Sequence, residues 1–132
     1  MSAEVYSLTR RLAEITVRFF ETKLSLKPER VNVLEQEGGD LVVIKVEGFM
    51  SKAEATLAER PGGDRVLSEY YTQVLERLSP MLSVVVEEVT KRPLLGCRTA
   101  LDLSRNECLY LLTLGAGGRK GSVSVQPQET SE

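Results

Sequence analysis

Residues 26–59, LKPERVNVLEQEGGDLVVIKVEGFMSKAEATLAE, constrain the fold more tightly than any other stretch of the chain. Ser51-Lys52-Ala53-Glu54 is a capping box. The serine hydroxyl can accept from the N–H of residue 54, and the glutamate can reach back to the N–H of residue 51. A helix therefore starts there, with Glu54 also favoured by the helix dipole. Ahead of it, Leu41 to Glu47 is rich in β-branched residues, and Val42, Ile44 and Val46 fall on one face at the two-residue period of a strand. Val31 and Val33 repeat that alternation upstream, and Gly38-Gly39-Asp40 between the runs suits a hairpin connection. The stretch reads as hairpin, then helix.

The remaining segments fit around this unit. Residues 3–24 read as a helix, with Val5, Leu8, Leu12, Ile15 and Phe19 at three- and four-residue steps. That narrow stripe can pack on the sheet or form the seam of a helix–helix dimer. Arg10, Arg11, Arg18 and Lys23 lie off the stripe, with Glu4, Glu14 and Glu21 among them, as a solvated rather than membrane-facing side requires. Arg60 to Asp64 breaks the chain, and Asp64 is placed to cap a longer helix through Leu67, Tyr71, Val74, Leu78, Leu82, Val85 and Val89. Pro80 predicts a kink or a restart within it, with Ser79 as the new N-cap.

Lys91-Arg92-Pro93 closes that helix. Leu95, Cys97, Thr99, Leu101 and Leu103 then alternate along a half-buried strand, with Arg98 and Asp102 on its other face. Ser104 to Glu107 turns the chain into a last strand, Cys108 to Leu114. The order α-β-β-α-α-β-β predicts an α+β, two-layer fold. Two hairpins join into a mostly antiparallel four-stranded sheet with the helices on one face. Residues 1–114 form one domain in this reading. Residues 115–132, small and polar without apolar period, form a disordered tail.

Composition excludes several function classes. The chain has 132 residues and a formal net charge of −2, so no basic field draws it to nucleic acid. Aromatic content of 5% without tryptophan argues against a base-stacking platform. No apolar run approaches the roughly 20 residues of a membrane span, so direct membrane insertion is not expected. The N-terminal residues lack a signal-peptide pattern, which points to the cytoplasm.

With no histidine, His-based triads, zinc hydrolysis and proton shuttles are excluded. Gly115 onward does not spell a P-loop or a dinucleotide fingerprint, since Lys120 is followed by Gly121 and occupies a position that would need glycine. Capping accounts for Glu54, and adjacent Glu87 and Glu88 point to different parts of a helix surface. Tyr70 and Tyr71 read as one rim and one core residue. A turn at Arg105-Asn106 would set Leu103 opposite Cys108 and leave Cys97 well beyond it, so no disulfide is expected. No catalytic residue, metal ligand or cofactor is assigned, and no binding residue is identified.

The chain resembles the MpsC-type domain family, small bacterial domains named for a membrane-potential-generating system. The likeness is carried by Pro28-Glu29-Arg30-Val31, by Leu41 to Ile44 with Glu47-Gly48, and above all by Phe49 to Glu59, similar to the family's L-T-P-A-E-x-x-L-A. Val86 to Arg92 is similar to its V-E-x-x-T-G-R. The chain departs at Ser25-Leu26-Lys27-Pro28, where only the proline of a glycine-rich G-R-G-P remains. It departs again at Tyr70 or Tyr71, in place of an arginine, and at Ser104-Arg105-Asn106, in place of an acidic turn. The resemblance implies an accessory protein beside an ion-translocating membrane component and carries over no catalytic residues.

Three functional expectations follow. The first is a non-enzymatic cytoplasmic accessory domain, homodimeric, with an ion-translocating membrane protein as partner. The second is a small-molecule sensor with a pocket between sheet and helices near Arg98, Asp102 and Tyr110. The third is an enzyme using carboxylate or thiol chemistry, with Glu54, Cys97 and Cys108 as its best groups.

Overall fold

The computed structural model describes residues 3–116, with side chains from residue 8 onward. Helix α1 spans Ala3–Phe19 and continues as a π turn, Phe20–Leu24. Strands β1 (Arg30–Gln36) and β2 (Leu41–Glu47) form the first hairpin. Helices α2 (Lys52–Ala58) and α3 (Gly63–Thr90) follow, then strands β3 (Leu94–Asp102) and β4 (Glu107–Leu114). The sheet is antiparallel throughout, in the order β1-β2-β4-β3. The expected α+β architecture and element order are present. The stretch read as a disordered tail lies outside the described residues from 117 onward, while Gly115 is held by its N–H to the Pro93 carbonyl at 2.8 Å.

One face of the sheet is the core. Val42, Ile44 and Val46 of β2 and Cys108, Tyr110 and Leu112 of β4 are buried, with Leu12 and Phe19 of α1, Phe20 of the π turn and Leu67, Tyr71, Leu75, Leu82 and Val86 of α3 over them. From Leu8 onward the stripe of α1 therefore packs against the sheet and α3 (the side chain of Val5 lies outside the described residues), with Thr16 buried in it and its hydroxyl donating to the Leu12 carbonyl at 2.7 Å. That self-contained hydrogen bond is why a threonine fits an apolar stripe. On α3 the buried line runs through Leu75 and Val86 rather than the expected Val74 and Val85. The expected and observed lines differ by one residue, about 100° of helix.

The structure corrects four local expectations. Helix α3 begins at Gly63, with Gly62 as N-cap at φ 80°, so Asp64 lies in the first turn and its Oδ1 accepts from the Arg65 N–H. The earlier start depends on Gly63: a Cβ there would lie 1.8 Å from the Leu57 carbonyl oxygen of α2. Helix α3 also does not restart at Pro80. Ser79 caps nothing; its carbonyl accepts from the Ser83 hydroxyl and its Oγ lies 3.9 Å from Cys97 Sγ. Leu75, Leu82 and Val86 on either side of the proline share one core, which holds both halves on the sheet.

In β3, the alternation expected from Leu95 breaks at a bulge: Leu94 pairs with Leu114 and Gly96 with Thr113, leaving Leu95 extra. Leu95 is 69% exposed instead of half-buried. Finally, Leu101, not Leu103, faces Cys108, because the turn takes four residues. Leu103–Arg105 is a single 3-10 turn, closed by the Asn106 N–H to the Leu103 carbonyl at 3.1 Å. Asn106 sits at φ 52°, a left-handed conformation that asparagine tolerates. The cysteines are free, as expected. Cys97 faces Leu112 and Cys108 faces Leu101, about 13 Å apart along the sheet at roughly 3.3 Å per residue.

Candidate functional site

A cleft of about 740 Å³ opens where α2 and the start of α3 face the β3–β4 turn. Met50, Ala55 and Ala58 supply an apolar side, and Leu101 and Leu103 the wall opposite. Glu59, Asp64 and Glu69 bring carboxylates to the lining from the helix side, Asp102 borders it at the end of β3, and Arg65 is its cation. Arg65 Nε lies 3.8 Å from Glu69 Oε2, an exposed pair worth little in stability. The Ser104 hydroxyl donates to Asp102 Oδ1 at 2.7 Å, and this bond holds the Asp102 carboxyl below the usual aspartate range.

Asn106 fixes the cleft's end. Its side-chain oxygen accepts from the N–H groups of Phe49 (3.2 Å) and Met50 (3.1 Å), and its carbonyl accepts from the Gly48 N–H at 2.7 Å. One residue thus ties the β3–β4 turn to the β2–α2 junction. Behind it lies an aromatic line in which Phe20 meets Phe49 edge-on at 6.1 Å and Phe49 meets Tyr71 at 5.1 Å. The Tyr71 hydroxyl donates to Glu54 Oε1 at 2.6 Å, and the same oxygen accepts from the Ser51 N–H. Burial, and next the Glu54 bond, push the Tyr71 hydroxyl well above its ordinary value, so it stays a donor.

The residues grouped at sequence level as a pocket do not meet. Arg98 and Asp102 project from the outer sheet face, whereas Tyr110 pairs with Thr99 and so projects from the other. Tyr110 is fully buried, and its hydroxyl has no hydrogen-bond partner among the described residues. Only Asp102 of the three borders the cleft; Arg98 borders a smaller groove of about 440 Å³ on the outer face. Asn106 was missed as a site-building residue. Its signal was an asparagine in a turn, which fits a left-handed residue as well as the tight turn assumed.

The candidate chemical groups are engaged structurally. Glu54 completes the capping box and accepts from Tyr71. Burial, with the nearby Glu107, pushes the Cys108 thiol up to about 12, and burial raises Cys97 as well. Neither thiol offers an appreciable thiolate at neutral pH. Glu87 Oε2 accepts from the Leu94 N–H at 2.7 Å, while Glu88 stays exposed. Tyr70 is on the rim at 52% exposure and Tyr71 in the core. No group of three or more metal-ligating side chains occurs among the described residues.

The opposite end of the sheet is closed by Arg92. Its guanidinium donates to the Gly39 carbonyl (2.9 Å) and the Gly115 carbonyl (2.7 Å) and forms a salt bridge with Asp40. Thr90 accepts from the Arg92 N–H and donates to the Val86 carbonyl. The segment from Val86 to Arg92 thus joins helix, hairpin loop and last strand.

A family model described as "Na+-translocating membrane potential-generating system (MpsC)" matches residues 5–116. The chain belongs to the MpsC family. The match covers both hairpins, α2, α3 and all but the first two residues of α1. No curated protein and no solved structure matches the chain. Among the described residues, no helix is long and apolar enough to cross a membrane.

Proposed function

We propose that this MpsC domain is a non-enzymatic accessory protein of a membrane-potential-generating system, acting from the cytoplasm by contact with an ion-translocating membrane protein. Its working unit in this reading is a homodimer. The family match over residues 5–116 carries the proposal, since the family's description is of such a system. The absence of a spanning helix among the described residues is consistent with a partner supplying the membrane part. The non-enzymatic reading is supported by Glu54, Tyr71, Glu87 and Arg92, whose polar groups are engaged in holding the fold, and by thiols held protonated.

The test is an affinity pull-down of the tagged protein from its native cells, on soluble and detergent-solubilised membrane fractions in parallel. Enrichment of an ion-translocating membrane protein is the expected result. Its absence from the membrane fraction would overturn the accessory role.

The cleft supports a second reading, a sensor for a small cationic molecule, because three helix-side carboxylates and one guanidinium line it beside an apolar wall. A thermal-shift screen of amines tests it. A midpoint raised by several degrees, and not raised in Glu59→Gln, would favour this reading.

A further inference from the structure

Among the described residues, the helices cover one face of the sheet and nothing covers the other. On that outer face Leu34, Val43 and Leu111 lie in one register row, Leu109 in the next, and Leu41 beside them. Leu34 is 55% exposed and the bulged Leu95 is 69% exposed. An apolar centre of this kind on a sheet marks an interaction surface. We propose that the outer sheet face is the self-association surface, and that its occupant is the same face of a second copy. This rests on the homodimer of the reading above and gives it a location.

Charge complementarity favours a second copy over other occupants. The outermost row runs Arg30, Glu47, Glu107, Asp102 across β1, β2, β4 and β3. A two-fold axis lying between two such faces, close to the strand direction, superposes β1 of one copy on β3 of the other. Arg30 then meets Asp102 of the second copy, twice by symmetry. The same operation sets Glu47 opposite Glu107 of the second copy; both are compensated within each copy, since Lys45 Nζ lies 3.3 Å from Glu47 and 3.6 Å from Glu107, and Arg30 lies 3.5 Å from Glu47 in its own chain.

In the apolar row the same operation sets Val43 against Leu111 and Leu34 against Arg98, whose aliphatic stem can cover it. The groove beside Gly96, where a Cβ would meet nothing within 4 Å, then lies opposite Gln36 of β1. Arg30, Lys45 and Arg98 balance Glu47, Glu107 and Asp102, so the face carries no cationic excess to attract an anionic lipid surface.

Area sets the expected strength. Four strands about 4.8 Å apart and about 24 Å long present roughly 450 Å² in plan, or about 900 Å² for two faces. That is just below the roughly 1,000 Å² at which specific interfaces begin, so the dimer is expected to be weak and reversible.

The experiment is sedimentation velocity on the full chain across roughly 1–200 μM, a span that brackets a micromolar equilibrium. A reversible monomer–dimer transition is expected for the wild type, with Leu111→Lys monomeric throughout. Leu34→Lys and Leu34→Glu form a second pair at an exposed position, where effects on folding are similar and small. Leu34→Glu, facing Arg98, should dimerise at least about ten-fold more tightly than Leu34→Lys. A wild-type monomer at the highest concentration, a dimer that survives Leu111→Lys, or equal affinities for the Leu34 pair would overturn the proposal. Purified protein alone is used, so the outcome is independent of whether a membrane partner is recovered.

Discussion

Replacing Lys91 by glycine should make the protein more stable than replacing it by alanine, although no contact is gained. Lys91 ends α3 at φ 59° and ψ 30°, with its N–H donating to the Glu87 carbonyl at 2.9 Å. A side chain in this left-handed conformation costs about 1–2 kcal/mol, which glycine does not incur. Glycine returns about 0.4–1 kcal/mol of that through the added freedom of the unfolded chain. Losing a cation near the helix C-terminus removes a further ~0.3–1 kcal/mol. Against wild type these terms nearly cancel, so Lys91→Ala is the informative reference. Alanine also loses the charge but keeps the strain. Glycine should exceed alanine by about 1 kcal/mol, and because Lys91 is exposed, packing does not confound the comparison. Urea unfolding at one chain concentration reads this as a midpoint difference of about 0.3–1 M at unchanged m. If Lys91→Gly were no more stable than Lys91→Ala, the account of this helix end would be wrong.

Gly63→Ala should cost more than about 2 kcal/mol, because its Cβ would fall 1.8 Å from the Leu57 carbonyl oxygen and force α2 off α3; a urea midpoint within error of wild type would refute the close approach. Glu54→Ala should cost about 2–3 kcal/mol, the cap plus an unpartnered buried Tyr71 hydroxyl, and Tyr71→Phe less. In the double variant the costs should fall short of additive, and strict additivity in a double-mutant cycle would show that the 2.6 Å bond carries no coupling. Stability should also decline in alkali. The Cys108 thiol is raised from 9.0 to about 12 in the folded state, so between those values the unfolded chain loses the proton first. A group that stays protonated longer when folded contributes stability below its unfolded pKa that is lost as pH rises toward its folded one. One such thiol gives a loss of about 1.4 kcal/mol by pH 10. Cys108→Ala should flatten the profile between about pH 8 and pH 10, and an unchanged slope would remove Cys108 as its source.

Local signals in the sequence were read correctly where one interaction decides the outcome. The capping box at Ser51–Glu54 is such a case: both reciprocal bonds are within four residues, and both are present. The hairpin pairing of β1 with β2 followed from a two-residue period that only one register satisfies. The misreadings lie where a distant contact decides. Pro80 carries a strong local break signal, yet side chains packed on either side of it keep the helix on one core. Leu95 alternates correctly on paper, but the bulge that turns it outward depends on how β3 meets β4. The supposed pocket failed by a parity rule: Tyr110 could be assigned a face only once its partner was known to be Thr99. The cleft was equally illegible, since it lies between α2, α3 and a turn some 40 residues further on in the chain.

The residues that carry the family likeness have a physical reason to recur together. Glu54 pins the start of α2 and holds Tyr71. Glu87, Thr90 and Arg92 pin the end of α3 to β3, the first hairpin loop and the last strand. These side chains act at opposite ends of the sheet, and neither group lies on its outer face. Likeness at these positions therefore reports a shared scaffold and does not by itself report a shared partner. The outer face and the cleft are where chains on this scaffold can differ without altering the fold, because their side chains meet solvent on one side. It follows that the two kinds of substitution should separate in experiment. Changing Arg92 should lower stability and, through it, every other property, whereas changing Leu111 should alter association while leaving the urea midpoint of the monomer nearly in place.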